Sequence, residues 1–440
     1  MKLRRSLTTL TLVFVMYFNT SGGAFTTEAL VAEVGPGLAL LILLLVPLVY
    51  SLPETLIVGE LASMLPEEGG YYRWVRRAFG PLWAFQNGWY TWLYSLVDMA
   101  LYPVLFNQYL AYFFPQLGAR GQWLVSLAVI WGATAINLRG ALRVGRVSVA
   151  AGAAVLFAFG ALALGALPHV AHAPWHPFAK PGQGTTQGLG VGLSIALWNY
   201  IGWDNASTVQ EEVVDASRSY PRALAVALPL VVLGYFVPLL PALAASDWTQ
   251  WREGGWPDIA RMSAGALGPA LGALLAAAGL VSALALFNAL LMAYSRIPLA
   301  MADDGLLPAL LARTDARGTP RNAVLVSAVA YSLFALLPFH GLVVADVLLY
   351  SMALALEFAA LVALRRAEPE LRGAFRIPVG TAGVVALTLL PMATLALVVA
   401  LSITGGEYGP TAIGTSLVAA ALGVPIYLAL TRRAPVRSES

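Results

Sequence analysis

The apolar residues of this 440-residue chain come in runs of about twenty, each long enough at helical rise to cross roughly 30 Å of hydrocarbon. Twelve such spans are predicted, over 7–33, 37–64, 81–112, 121–137, 147–167, 189–213, 221–244, 265–295, 321–338, 343–364, 377–403 and 410–431. The period-two alternation of a membrane barrel is absent, so the backbone must satisfy itself in helices. The expected fold class is an all-α membrane protein, a single integral domain over residues 1–440.

Composition agrees with this pattern. The chain is 59% hydrophobic and 11% charged, a balance that no single soluble core of ordinary size would hide, so the bilayer is the expected solvent. With twelve spans and both termini cytoplasmic, every one of the 26 Lys and Arg except Arg120, Lys180, Arg252 and Arg261 falls on the cytoplasmic side. An odd span count would spoil that split. The net charge of +3 follows from this bias and does not point to nucleic acid. The absence of Cys removes thiolate chemistry and Cys-ligated zinc. Lys2, Arg4 and Arg5 ahead of an apolar run ending in Thr20-Ser21-Gly22-Gly23-Ala24 also resemble a cleavable signal peptide, but an interrupted first helix explains the stretch better.

Two spans carry such interruptions. Ser21, Gly22 and Gly23 fall in the middle of span 1, where paired glycines weaken the helix and hydroxyls can line a cavity. Span 6 places Asn199, Tyr200, Gly202, Trp203, Asp204 and Asn205 at matching depth. A lone Gly-Gly would read as helix packing, as Gly265, Gly268, Gly272 and Gly279 do in span 8, but paired breaks do not. Spans 1 and 6 open two consecutive groups of five with opposite sidedness, which predicts inverted repeats over about 7–167 and 189–364 with peripheral helices at 377–431. In such a fold half-helix N-termini attract carboxylates, while freed carbonyls and half-helix C-termini attract cations, so a zwitterion with an ammonium group fits both ends.

The ionisable residues sharpen that expectation. Every basic side chain can be placed in a loop, whereas Glu54, Asp98, Asp204 and Glu357 fall within spans, where each charge costs at least about 2.5 kcal/mol. Such acids need protons, polar helix ends or a cationic ligand. Asp204 is the first candidate for an ammonium contact, its alternative being a cap on Ala206 or Ser207. Asp98 and Glu54 could supply a second anion, take a proton, or sit neutral between helices; for Glu357, nearer the cytoplasmic end of span 10, a structural or gating role is as expected as direct contact. Phe25, Tyr94, Tyr200, Trp203, Phe287 and Tyr350 are aromatic candidates to close over a cation. His169, His172 and His176 share a loop, but no local carboxylate or Cys completes a zinc set, so neither metal nor cofactor is expected. All four His lie in loops and no hydrolase motif is present, which argues against an enzyme.

With these residues in view, the chain resembles the amino acid, polyamine and organocation transporter superfamily, which has a LeuT-like five-plus-five fold. The resemblance rests on Ser21-Gly22-Gly23-Ala24-Phe25, the stretch Glu60 to Tyr72, Gly202-Trp203-Asp204, and Ala300 to Pro308. Ser51-Leu52-Pro53-Glu54, the stretch Asp98 to Phe106, and Leu356-Glu357-Phe358 look closest to the branch of L-type amino acid and polyamine-uptake transporters. Two departures stand out: Asp204 occupies a position where L-type relatives commonly carry Asn, and span 5 lacks the Lys of many amino acid carriers. The resemblance implies alternating-access transport of amino acids or polyamines across the inner or plasma membrane, driven by protons or a counter-substrate. The substrate residues expected are Ser21, Gly22, Gly23, Phe25, Asp98, Asn199, Tyr200, Gly202, Trp203 and Asp204, with Glu54 and Glu357 as proton or second-ammonium sites. A neutral amino acid exchanger and a non-cycling amine sensor are the alternatives.

Overall fold

The computed structural model describes residues 3–182, 184–316, 318–335, 342–404 and 410–433; Lys2, Arg317, Arg437 and the expected end of span 9 at 336–338 lie outside them. Among the described residues the regular structure is helical, with one isolated bridge between Leu7 and Val213. The first apolar run forms α1 (Thr9–Thr20) and α2 (Thr27–Val34), separated by residues 21–26. The second forms α3 (Pro36–Val46) and α4 (Leu52–Met64), joined by a π-helical turn at Pro47–Ser51, where Pro47 brings no N–H to the ladder. A short helix α5 (Tyr71–Phe79) buries Tyr71, Tyr72, Trp74 and Val75 along one side. After it come α6 (Pro81–Leu110), α7 (Ala119–Asn137) and α8 (Ala141–Ala166).

The second half repeats this plan. Helix α9 (Thr185–Trp198) stops at a second break, and the chain resumes as a 3-10 helix over Asn205–Glu212. It continues through α10 (Ala216–Ala245), the short α11 (Trp256–Ser263), α12 (Gly268–Asp303), α13 (Arg321–Phe334) and α14 (Leu342–Ala367). Helices α15 (Thr381–Thr404), α16 (Pro410–Ala421) and α17 (Gly423–Arg433) follow.

Seven of the described helical segments are long and apolar enough to cross a membrane, and three shorter apolar helices lie at Thr9–Thr20, Gly188–Trp198 and Arg321–Phe334. Helices α6 and α7 have 30 and 19 residues but mix polar side chains among apolar ones. Large apolar side chains face outward along these helices, among them Leu48, Phe157, Leu164, Leu233 and Leu389, all more than half exposed. Such a surface suits lipid and not water. Helix α12 packs against α6, α8 and α7, and α14 against α6. Helix α1 sits inside, against α8, α10 and α12, with Leu12, Val15, Tyr17 and Phe18 fully buried; it is a structural core element.

One expectation from the sequence needs correction. Arg296 and Arg365 are not loop residues: α12 runs on to Asp303 and α14 to Ala367, and both arginines lie inside these helices, 1% and 5% exposed.

Candidate functional site

The two breaks meet. Gly22 and Gly23 adopt φ of +68° and +115°, which only glycine takes at low cost, and a Cβ on Gly22 would stand 2.7 Å from the Ser282 hydroxyl. Gly202 has φ +99°, and a Cβ there would stand 2.5 Å from the Asn19 carbonyl oxygen. The Thr26 hydroxyl donates to Asn199 Oδ1 at 2.8 Å, tying one break to the other. Thr26 itself holds φ +77°, a costly value for a residue with a branched side chain, at this contact point.

Broken helices free backbone carbonyls, and the sequence led us to expect cations there. The structure instead supplies side-chain donors to them. Gly22 O accepts from Ser282 (2.5 Å), Ala24 O from Thr27 (2.6 Å) and Trp256 Nε1 (2.9 Å), Asn199 O from Tyr235 (2.5 Å), and Trp203 O from Tyr220 (3.1 Å). Each of these four carbonyls thus already has at least one side-chain donor.

A cavity lies between the breaks. One wall is Asn19, Thr20, Ser21, Phe25 and Thr26, and another is Trp198, Asn199, Ile201, Gly202 and Asn205. Helix α6 contributes Tyr94, Asp98, Tyr102 and Leu105, α12 contributes Leu286 and Tyr294, and α14 contributes Asp346 and Tyr350. Among the described residues, no Lys, Arg or His lines it. Several buried acceptors on its walls have no hydrogen-bond partner: Asn19 Oδ1, Thr20 Oγ, Asn205 Oδ1 and Asp346 Oδ1. The Tyr94 ring meets those of Tyr294 and Tyr350 edge to face, at 5.8 and 5.5 Å.

Of the residues expected from the sequence, Ser21, Phe25, Asp98, Asn199 and Gly202 line this cavity. Gly22 and Gly23 shape the break without lining it. Tyr200 donates to Leu43 O (2.9 Å), and Trp203 is fully buried with its indole N–H unpartnered. Asp204 stands behind Tyr350 and not on the cavity wall. The Tyr350 hydroxyl accepts from Gly202 N–H and lies 3.1 Å from both Asp204 Oδ1 and Glu54 Oε1. The Asp204 side chain makes no helix-cap bond; Ser207 N–H bonds its backbone carbonyl instead. Among the described residues, Glu357 meets only the Asn87 amide, at 3.4 Å, and its Oε2 is unpartnered.

Asp346 went unnoticed in the sequence, although it lies inside the predicted span 10 and the rule that drew attention to Glu357 applies to it equally. Tyr102 and Tyr294, whose hydroxyls donate to Asp98, carried no sequence signal. Among the described residues, no group of three or more His, Cys, Asp and Glu could hold a metal.

Helices interrupted around an acid-lined cavity in an apolar bundle define a class, a multi-pass integral membrane protein. The chain belongs to the amino acid permease family, whose sequence profile matches residues 7–422. It is 36% identical to the polyamine transporter PUT1 of Oryza sativa subsp. japonica over 90% of this chain and 74% of that protein. It is 35% identical to the polyamine transporter RMV1 of Arabidopsis thaliana, over 90% and 80%. It is also 25% identical to a methylthioribose transporter of Bacillus subtilis (strain 168), over 81% and 80%. The protein is accordingly a membrane transporter and not an enzyme.

Proposed function

We propose that this protein carries small amines, polyamines foremost, by alternating access around the cavity between the two breaks. The observation that carries the reading is the cavity wall: carboxylates Asp98 and Asp346, bare acceptors on Asn19, Thr20 and Asn205, and, among the described residues, no basic side chain. Such a wall is completed by ammonium N–H donors and offers no side-chain cation to a lone carboxylate. Phe25, Tyr94 and Trp198 add aromatic faces for a cation or its methylenes. The polyamine transporters among its relatives support the same cargo.

The architecture we propose is twelve spans in a LeuT-like pair of inverted five-span repeats, with both termini cytoplasmic. Its support is internal: each group of five opens with a broken helix and carries a short helix, α5 or α11, between its second and third spans. The chain has no Cys, so single cysteines at Trp175 and Arg372 would report sidedness directly; labelling of both from one side would overturn the topology.

We place proton coupling at Glu54, Tyr350 and Asp204. The Tyr350 hydroxyl has one hydrogen to give and two carboxyl oxygens at 3.1 Å, so one carboxyl must bring its own proton when no other cation is near. Asp204 thus acts through Tyr350 as a coupling group, and Glu357 extends the line of acids along α14. Uptake of labelled putrescine and spermidine into proteoliposomes tests the whole reading. We expect uptake driven by a proton gradient. Uptake only into vesicles preloaded with substrate would replace coupling by exchange, uptake of neutral amino acids alone would move the cargo, and no uptake under any condition would sink the carrier reading.

A further inference from the structure

The two acids on the cavity wall differ in how they are held. Asp98, midway along α6, accepts from Tyr102 on Oδ1 (2.7 Å) and from Tyr294 on Oδ2 (2.9 Å), so both of its oxygens are engaged. Asp346 lies one turn before Tyr350 on α14, about 6 Å along the helix axis at 1.5 Å per residue. It is 3% exposed, lines the same cavity, and has no partner for Oδ1. A buried acceptor left bare is costly until a donor reaches it. With Asp98 in the same cavity and no base on its walls among the described residues, the donor that relieves both acids at once is a cation. The end of α1 presents a separate set of bare groups, both amide atoms of Asn19 and the Thr20 hydroxyl.

We infer that Asp346 is a substrate-binding residue which, with Asp98, holds one ammonium of a diamine or polyamine while Asn19 and Thr20 receive another. The inference rests on the amine-carrier reading and adds a count to it: the preferred cargo has at least two ammonium groups, and Asp346 sets that preference. A monoamine fills one end of the cavity and leaves the other bare.

The test is binding of putrescine and n-butylamine, equal in carbon number but differing by one ammonium, to the purified full-length protein. The wild type should bind putrescine at least about tenfold more tightly, the scale of one buried charge-assisted bond. Asp346→Asn should weaken putrescine about tenfold, change n-butylamine less than about threefold, and so collapse the ratio. A ratio that survives in a folded Asp346→Asn protein overturns the inference while leaving the carrier intact; a wild type that binds no amine removes both. Should Asp346→Asn fail to fold, Asp346→Glu keeps the charge but reaches one methylene further, and the preferred diamine should be about one carbon shorter than that of the wild type. An unchanged length preference in that variant also overturns it.

Discussion

In two regions of this molecule, buried carboxylates meet opposite company. At the arginine-rich end, Arg296 bonds Glu212 Oε1 at 2.6 and 3.0 Å and approaches Glu68 at 3.5 Å. Arg365 clasps Glu60 at 2.5 and 2.6 Å and also bonds the carbonyls of Ile377 and Val379. Arg73 and Arg76 converge on Asp304. At the cavity and just behind it, Asp98, Asp346, Asp204, Glu54 and Glu357 have hydroxyls, amides or nothing as partners. The same residue type serves as a clamp where its counter-charge is built in, and as a receptor where the counter-charge must arrive from outside. A buried acid in a membrane protein is informative only once its partner is known.

The comparison breaks most decisively at Arg296. Replacing it with Met leaves Glu212 and Glu68 buried without a base, and losing one partner of a buried pair typically costs about 3–5 kcal/mol. We expect Arg296→Met to lose most of its thermal stability in detergent. Asp346→Asn, which removes a charge that has no partner, should lose little. Equal losses in the two variants would mean that the two regions do not differ in kind.

The next effects lie at the breaks. Gly202→Ala forces a side chain onto φ +99° with its Cβ 2.5 Å from a backbone oxygen that cannot swing aside. About 1–2 kcal/mol for the left-handed backbone and 1–3 for the contact give a loss on the order of 3 kcal/mol. Uptake should fall with it; a variant of wild-type stability would show that the breaks do not need to touch. Tyr350→Phe is milder. It strips the hydroxyl from Gly202 N–H and from two acids, for about 1–2 kcal/mol. Proton-driven uptake should nevertheless fall at least about tenfold while amine binding is largely retained, since the ring stays on the cavity wall. Binding and uptake falling together would make Tyr350 a substrate contact and not a coupling group.

Much of this was legible in the sequence because it depends on local chemistry. The pair Gly22 and Gly23 and the single Gly202 announce a break through backbone freedom alone, and an acid such as Asp98 inside an apolar run announces itself by cost. What the sequence could not show depends on which side chains meet across long separations. Tyr350 joins Glu54, 296 residues away, to Asp204, 146 residues away, and nothing local to any of the three marks that meeting. For the same reason Asp204 reads from the sequence as a first contact for substrate, whereas the non-helical stretch before the 3-10 helix sets it against the Tyr350 hydroxyl. Arg296 and Arg365 read as loop residues because apolar runs stop at charges, whereas a helix continues wherever its charges find partners. Asp346 is a different case, visible to the rule already in use and simply not drawn out by it.

The exposed pair Arg77 and Glu368 provides the control. Its geometry is as good as that of any buried clamp, with two parallel bonds at 2.8 and 2.6 Å, yet both side chains face solvent. The hydrogen bonds from Arg77 hold the Glu368 carboxyl below its ordinary value. A depressed carboxyl stabilises the fold above the ordinary glutamate range, and that contribution disappears as pH falls through the lowered folded-state value. Glu368→Gln should therefore sit close to wild type at neutral pH, the small gap narrowing toward pH 3 and also with added salt, which screens exposed charges over roughly 8 Å at physiological strength. If Glu368→Gln instead costs as much as Arg296→Met, bond geometry rather than burial sets the strength of these clamps. The acids of the cavity would then owe their role to the absence of an arginine alone, and installing one beside Asp346 should convert that receptor into a clamp.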